Sequence, residues 1–210
     1  VNRNDISLSI ILPTIGRDTL ARTLMSIDNQ IEDNDEVIIV ADERGNWQYA
    51  EWLWETLNAK VTPFGPIFKF FKQPTGKPVG QPLRNFGIEQ AERDYIVWTG
   101  DDDVFTPDAF DAIKTNVCKN PDKVHLFRWD AWQCGVAWRE KVIKEGNIGD
   151  HSIVAPNDQS KLGRFTMRYA GDYDYIVETV NNFGGEENVI WCQEILTICR
   201  PERHEKKKLI

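Results

Sequence analysis

Three adjacent carboxylates, Asp101, Asp102 and Asp103, follow the apolar run Tyr95-Ile96-Val97-Trp98. Like charges this close repel, and a triplet of acids is tolerated where a cation or solvent compensates it. Hard divalent ions such as Mg²⁺ or Mn²⁺ prefer oxygen ligands. They take one or two protein carboxylates and keep their other positions for water and phosphate oxygens. The chemistry this pattern points to is metal-assisted handling of a phosphate ester or diphosphate. A bare acidic triplet also reads as a solvated turn. Its place at the end of an apolar strand favours the metal, because open α/β sheets bind ligands beyond the carboxyl ends of their strands.

The elements that must position the triplet are legible on both sides of it. Ile6-Ser7-Leu8-Ser9-Ile10-Ile11-Leu12 reads as a buried strand that stops at the breaker cluster Pro13-Thr14-Ile15-Gly16-Arg17. Asp18 or Thr19 then caps a helix in which Leu20, Leu24 and Ile27 recur at helical spacing. Glu36-Val37-Ile38-Ile39-Val40-Ala41 is a second buried strand, so the first three elements predict a right-handed parallel crossover. Residues 47–57 predict a helix, 67–71 a short strand, and 83–91 a helix leading into the acid-tipped strand. Residues 107–117 predict a helix with Pro107 near its first turn, and 123–129 a strand. Farther on the alternation weakens. Residues 146–163 read as a polar loop and a candidate lid, 173–180 as a helix, and 189–198 as a mixture of strand and buried signals. No internal repeat is visible.

Composition narrows the class. A chain of 210 residues suits one α/β domain with a sizeable core. The eight Trp are many for this length and serve either as core or as stacking platforms for sugars or bases. A net charge of −8 argues against a broad electrostatic grip on nucleic acid, with Lys206-Lys207-Lys208 the one candidate basic patch. Cys118, Cys134, Cys192 and Cys199 show no metal-ligand spacing and read as reduced, mostly buried thiols. No apolar run approaches the ~20 residues that span a bilayer. The start Val1-Asn2-Arg3-Asn4-Asp5 is not a signal peptide, so a cytoplasmic protein without a transmembrane segment is expected.

Three local motifs, in order, resemble family 2 glycosyltransferases of the GT-A fold. Ile10-Ile11-Leu12-Pro13-Thr14 with Arg17 resembles the opening strand and nucleotide loop of that family. Gly80-Gln81-Pro82-Leu83-Arg84-Asn85-Phe86-Gly87-Ile88 is similar to its G-x-x-x-A-R-N-x-G-I helix start, with Leu83 in place of Ala. Asp94-Tyr95-Ile96-Val97-Trp98-Thr99-Gly100-Asp101-Asp102-Asp103, followed by Pro107-Asp108, is similar to its strand, DxD motif and P-D turn. Two departures stand out: Gly100 replaces the acid that opens the D-x-D-D pattern, and the second strand ends Ala41-Asp42 where many members carry two acids.

The resemblance implies a single GT-A domain over residues 1–210, an α/β fold with a mixed, mostly parallel, Rossmann-like sheet flanked by helices. Residues 6–117 would form the nucleotide-sugar half and 118–210 the acceptor-binding and catalytic half. Pro13, Thr14, Arg17, Asp42, Arg84 and Asp101 would contribute to the donor pocket. Asp102 and Asp103 would hold Mn²⁺ or Mg²⁺, with His204 as a further ligand. Ala170-Gly171-Asp172-Tyr173-Asp174 resembles the segment whose first Asp is the general base of inverting members, with Gly171 where a Glu is usual. Asp172 is carried over as base and Asp174 is its competitor; Asp172 as a helix N-cap is the structural alternative. Arg164, Arg168, Arg200 and Arg203 face a diphosphate or pair with surface acids.

The implied reaction is transfer of a sugar, with inversion, from a nucleotide diphosphate sugar (a UDP-sugar first) to the hydroxyl of a saccharide or other acceptor. The acceptor is expected near residues 146–163 with Trp129, Trp132 and Trp138, two of which also read as core. Other readings are glycosyl transfer to a modified nucleic-acid base, which the acidic balance disfavours, a nucleotidyltransferase, and a catalytically silent nucleotide-binding module. A nucleotidyltransferase would carry a Gly-rich first loop, whereas residues 13–17 hold one Gly.

Overall fold

The computed structural model describes residues 2–59, 67–74, 80–133 and 135–203. The first half is a run of crossovers: β1 (Leu8–Thr14), α1 (Leu20–Asp28), β2 (Glu36–Asp42), α2 (Trp47–Asn58), β3 (Ile67–Gln73), α3 (Gln81–Gln90) and β4 (Tyr95–Trp98). All four strands run parallel, in the spatial order β3-β2-β1-β4. The second half comprises β5 (Asp103–Phe105), α4 (Ala109–Val117), β6 (His125–Ala131), β7 (Gly135–Ala137), β8 (Ile153–Pro156), α5 (Gly171–Asn182) and β9 (Ile190–Cys199). It extends the sheet from β4 through β8, β6 and β9 to β5, and β7 pairs with β6 as a hairpin. Here only β6 and β9 are parallel; the other pairings are antiparallel.

Strand periodicity sorts the core into two layers. Leu8, Ile10 and Leu12 point to the face covered by Leu20, Leu24 and Ile27 of α1 and by Phe110, Ile113 and Val117 of α4. Ile11 points the other way, toward Leu83 and Ile88 of α3 and Tyr175, Ile176 and Val180 of α5. A sheet buried on both faces explains why β1 and β2 read as continuous apolar runs. Among the described residues no helix is long and apolar enough to cross a membrane.

Two features depart from expectation. Residues 153–156, inside the stretch read as a polar lid, form β8 in the middle of the sheet. With only four residues, of which Ile153, Val154 and Ala155 are buried, it is too short to leave a periodic signal. Helix α4 begins at Ala109 rather than at Pro107, because Asp108 takes a left-handed φ of 62° just before it. Lys114 of α4, on a helix face where a lysine is ordinarily solvated, is fully buried and ion-paired to Asp35 (2.9 Å) and Glu32 (2.8 Å). Cys118, Cys192 and Cys199 are thiols, Cys118 half-buried and the other two buried; Cys134 lies outside the described residues.

Gly87 shows what a motif glycine does. A Cβ added there would lie 2.4 Å from Cγ2 of Ile11, so α3 rests on β1 only because position 87 has no side chain. Gly87→Ala is expected to lower the unfolding free energy by about 1–3 kcal/mol, the usual cost of overpacking. Urea titration should show a lower midpoint with an unchanged slope.

Candidate active site

β1 and β4 are parallel neighbours, so their carboxyl ends open on the same edge of the sheet. The loop after β1 meets the acidic loop after β4 there. Thr14 Oγ1 (2.7 Å) and the backbone N–H of Ile15 (3.0 Å) donate to Asp101 Oδ2, and Arg17 Nη1 donates to Oδ1 at 2.6 Å. Thr19, expected to cap α1, instead gives its hydroxyl to the Asp101 carbonyl at 2.7 Å. Thr23 does the same for the Asp103 carbonyl at 2.5 Å. The acidic loop is thus hydrogen-bonded along its length to the first loop and helix.

The next two acids face a different set of partners. Asp102 Oδ2 receives Arg17 Nη1 and Arg200 Nε, both at 2.9 Å. Asp103 Oδ2 lies 2.6 Å from His151 Nε2, and its Oδ1 accepts the Arg200 N–H at 3.1 Å. Arg200 follows the end of β9 with a left-handed φ of 51°, an uncommon conformation for a side-chain-bearing residue, and from it serves both acids. Burial and the neighbouring Asp103 raise the Asp102 carboxyl above its ordinary pKa, against the pull of Arg17 and Arg200. Burial acts the same way on Asp103, but the charge and hydrogen bond of His151 outweigh it and lower its pKa.

Across the cavity, Asp172 sits in the first turn of α5. Burial, then the charge of Asp150, push its carboxyl upward. Asp150 itself is held well below the ordinary range: Arg84 Nε reaches its Oδ2 at 2.8 Å and His151 Nδ1 its Oδ1 at 3.0 Å, overcoming burial. A Cβ on Gly149 would lie 3.3 Å from Asp172 Oδ2 and 3.6 Å from the Trp129 ring, so that ring sits beside the carboxylate. Asp174 points elsewhere, bonded to Thr166 and to Arg168 Nε at 2.6 Å. Gly171 explains the departure from the resembled motif. A Cβ there would come within 2.2 Å of the Thr166 carbonyl, leaving no room for a Glu on this backbone.

One cavity of about 590 Å³ gathers Pro13, Thr14, Arg17, Arg84, Asp101, Asp102, Asp103 and Asp172, together with Trp129, Trp132, Tyr169 and Arg200. Asp42 is not part of its lining; it is buried at the end of β2 and bound by Arg44 Nη2 at 3.1 Å. Trp138 is core, packed edge-on against Trp191. Arg164 and Arg168 also lie off the lining, and Arg203 stacks 4.6 Å over Trp132. His204 and Lys206-Lys207-Lys208 lie outside the described residues. Asp150, His151 and Cys199 line the cavity and escaped the sequence reading. Their one available signal was that the chain has only three His, one of them directly after an Asp in a polar stretch.

The donor set fits a divalent cation. Asp102 Oδ1 and Asp103 Oδ2 converge over Gly100, where an added Cβ would lie 3.3 and 2.6 Å from them. A side chain at the position of the missing acid would therefore occupy the space these oxygens share.

A mixed sheet with an acid-tipped central strand and one cavity beyond it is the architecture of the GT-A glycosyltransferases. The chain belongs to Glycosyl transferase family 2, whose family model matches residues 9–192. No curated protein matches it by sequence. TarS from S. aureus superposes with a TM-score of 0.73 at 15% identity, over 96% of this chain and 38% of TarS. TarS 1-349 in complex with UDP-GlcNAc gives 0.73 at 15%, over 92% of this chain and 58% of its own. The mannosyltransferase PcManGT from Pyrobaculum calidifontis, in complex with GDP-Man and Mn²⁺, gives 0.65 at 14%, over 91% and 55%. These likenesses are of fold, and the chain spans less than two thirds of each.

The Arg84–Asp150 pair makes a measurable claim. Arg84→Met would leave Asp150 buried without its strongest cation, and the unfolding free energy should fall by about 3–5 kcal/mol. Adding Asp150→Asn should recover part of that loss, as a double-mutant cycle in urea would read.

Proposed function

We propose that this domain transfers a glycosyl group, with inversion, from a nucleotide diphosphate sugar to an acceptor hydroxyl, with a UDP-sugar as the first donor to test. The observation that carries the reading is that Thr14, Arg17, Asp101 to Asp103 and Asp172, far apart in sequence, line one cavity. Complexes of structural neighbours with UDP-GlcNAc and with GDP-Man support a donor of this class. Residues 6–117 form the donor half in this reading, and 118–210 supply the base and the acceptor side.

Asp172 accepts the acceptor proton as the hydroxyl oxygen attacks the anomeric carbon. Burial and the charge of Asp150 raise its pKa, which makes it a stronger base than an ordinary aspartate. Arg17 and Arg200, already turned to Asp102, offer positive charge to the departing diphosphate. Asp102 and Asp103 would hold Mn²⁺ or Mg²⁺, which supplies charge neutralisation at that leaving group; a structural neighbour is complexed with Mn²⁺. Thr14 and Pro13 shape the nucleotide side. Trp129 and Trp132 give the acceptor side flat apolar faces.

A screen of nucleotide sugars for metal-dependent turnover and thermal stabilisation tests the assignment; no response to any donor would point to a silent nucleotide-binding module. Asp172→Asn should leave donor affinity unchanged and cut transfer by at least ~10²- to 10⁴-fold, and turnover near wild type would remove Asp172 as base. The sign of the pH dependence follows from its shift. The active form is the carboxylate, so activity should fall with acid through a midpoint above the ordinary aspartate value of 3.8. Asp102→Ala should abolish the Mn²⁺ dependence of UDP binding in calorimetry.

A further inference from the structure

A carboxylate oxygen of Asp103, a ring nitrogen of His151 and Cys199 Sγ lie within 4.8 Å of one another on the cavity wall. The sheet puts them there. Asp103 and Cys199 are register partners in the β5–β9 ladder, and the short turn Asp150–Ser152 brings the imidazole over both. The ring is already oriented as a metal-binding imidazole is, with Nδ1 on the Asp150 carboxylate, which Arg84 holds in turn, and Nε2 toward Asp103. A carboxylate behind the far nitrogen is the outer-shell arrangement that fixes a ligating histidine.

We propose that Asp103, His151 and Cys199 form a Zn²⁺ site that shares Asp103 with the hard-cation position of the proposed function, so that zinc antagonises Mn²⁺ or Mg²⁺. The antagonism rests on that reading; the zinc site itself does not. Zn²⁺ binds sulfur, nitrogen and oxygen at about 2.0–2.3 Å, which places tetrahedral ligand atoms roughly 3.3–3.8 Å apart. Reaching that spacing opens the 2.6 Å Asp103–His151 contact and sets Cys199 Sγ, which lies within 4.8 Å of both partners, at the same distance from each. On binding, the Cys199 S–H bond breaks, a sulfur–zinc bond forms and the proton leaves to solvent. A thiolate and an imidazole favour zinc over Mg²⁺, which takes oxygen ligands. Water or a substrate oxygen completes the fourth position from the cavity.

Cobalt(II) added to the whole chain reports the site directly. One equivalent should produce a thiolate-to-metal charge-transfer band, and one equivalent of Zn²⁺ should bleach it. Cys199→Ser should lose the band and bind zinc at least about 100-fold more weakly, beyond the loss typical of an outer-shell partner; Cys118→Ser should keep both. X-ray absorption on the zinc-loaded wild type, which needs no variant to fold, should show one sulfur in the shell. A band that survives in Cys199→Ser, a zinc shell without sulfur, or no binding of either metal overturns the site. Mn²⁺-dependent UDP binding, measured on the same sample, is read separately. If it is present without the sulfur band, the zinc site fails and the function stands; if the band is present without it, the reverse holds. Zinc titrated into a Mn²⁺-dependent sample should reduce UDP binding, and its indifference to zinc would overturn the antagonism.

Discussion

The Asp101 carboxylate, with Thr14, Ile15 and Arg17 donating to it, joins the loop after β1 to the loop after β4. Those two loops close the carboxyl edge of the sheet where its parallel strands sit side by side, and the cavity exists because they are held together. Asp102 and Asp103 depend on that link for their direction. With Asp101 anchored and the Asp103 carbonyl held by Thr23, the Asp102 and Asp103 side chains turn toward β9 and the turn before β8. Donors from the end of β1, the loop after it and α1 thus aim the two acids proposed to face the diphosphate.

Electrostatics decides the rest of the site. Asp101, Asp102, Asp103, Asp150 and Asp172 line the same cavity, with Arg17, Arg84, Arg200 and His151 among them. The cations are unevenly shared. Asp103 and Asp150 sit against His151 or Arg84 and are driven toward the ionised form, whereas Asp102 and Asp172 are raised by burial and by like-charged neighbours. Among the described residues Asp172 makes no ion pair of its own. Carboxylates whose environments separate their pKa values are those able to divide base and charge-holding roles. The same sharing leaves His151 between Asp103 and Asp150, with Cys199 beside it.

Much of this was legible from one dimension. Continuous apolar runs announced β1 and β2, helical spacing announced α1, the three motifs located the triplet, and the separate match at residues 170–174 located Asp172. The misses have physical causes. β8 is a four-residue strand buried on both faces and has no room to show a period. Lys114 is ordinary in sequence, and only Glu32 and Asp35 brought to it by the fold make its burial tolerable. Gly171 looked like a defect in a motif and is the residue that lets α5 approach Thr166.

Sequence alone determined the family resemblance, the order of elements from β1 to β4 and the residues that carry charge, because these depend on local spacing and on strand ends. It could not choose between Asp172 and Asp174, two residues apart on one helix. The tertiary structure gives the two different surroundings: α5 turns Asp172 into the cavity beside Asp150 and leaves Asp174 to Arg168. Nor did spacing place His151 or Cys199 beside Asp103, because their meeting is set by strand register and by a turn some fifty residues away from each. Contacts made across a sheet have no fixed distance along a chain, and this site is built from such contacts.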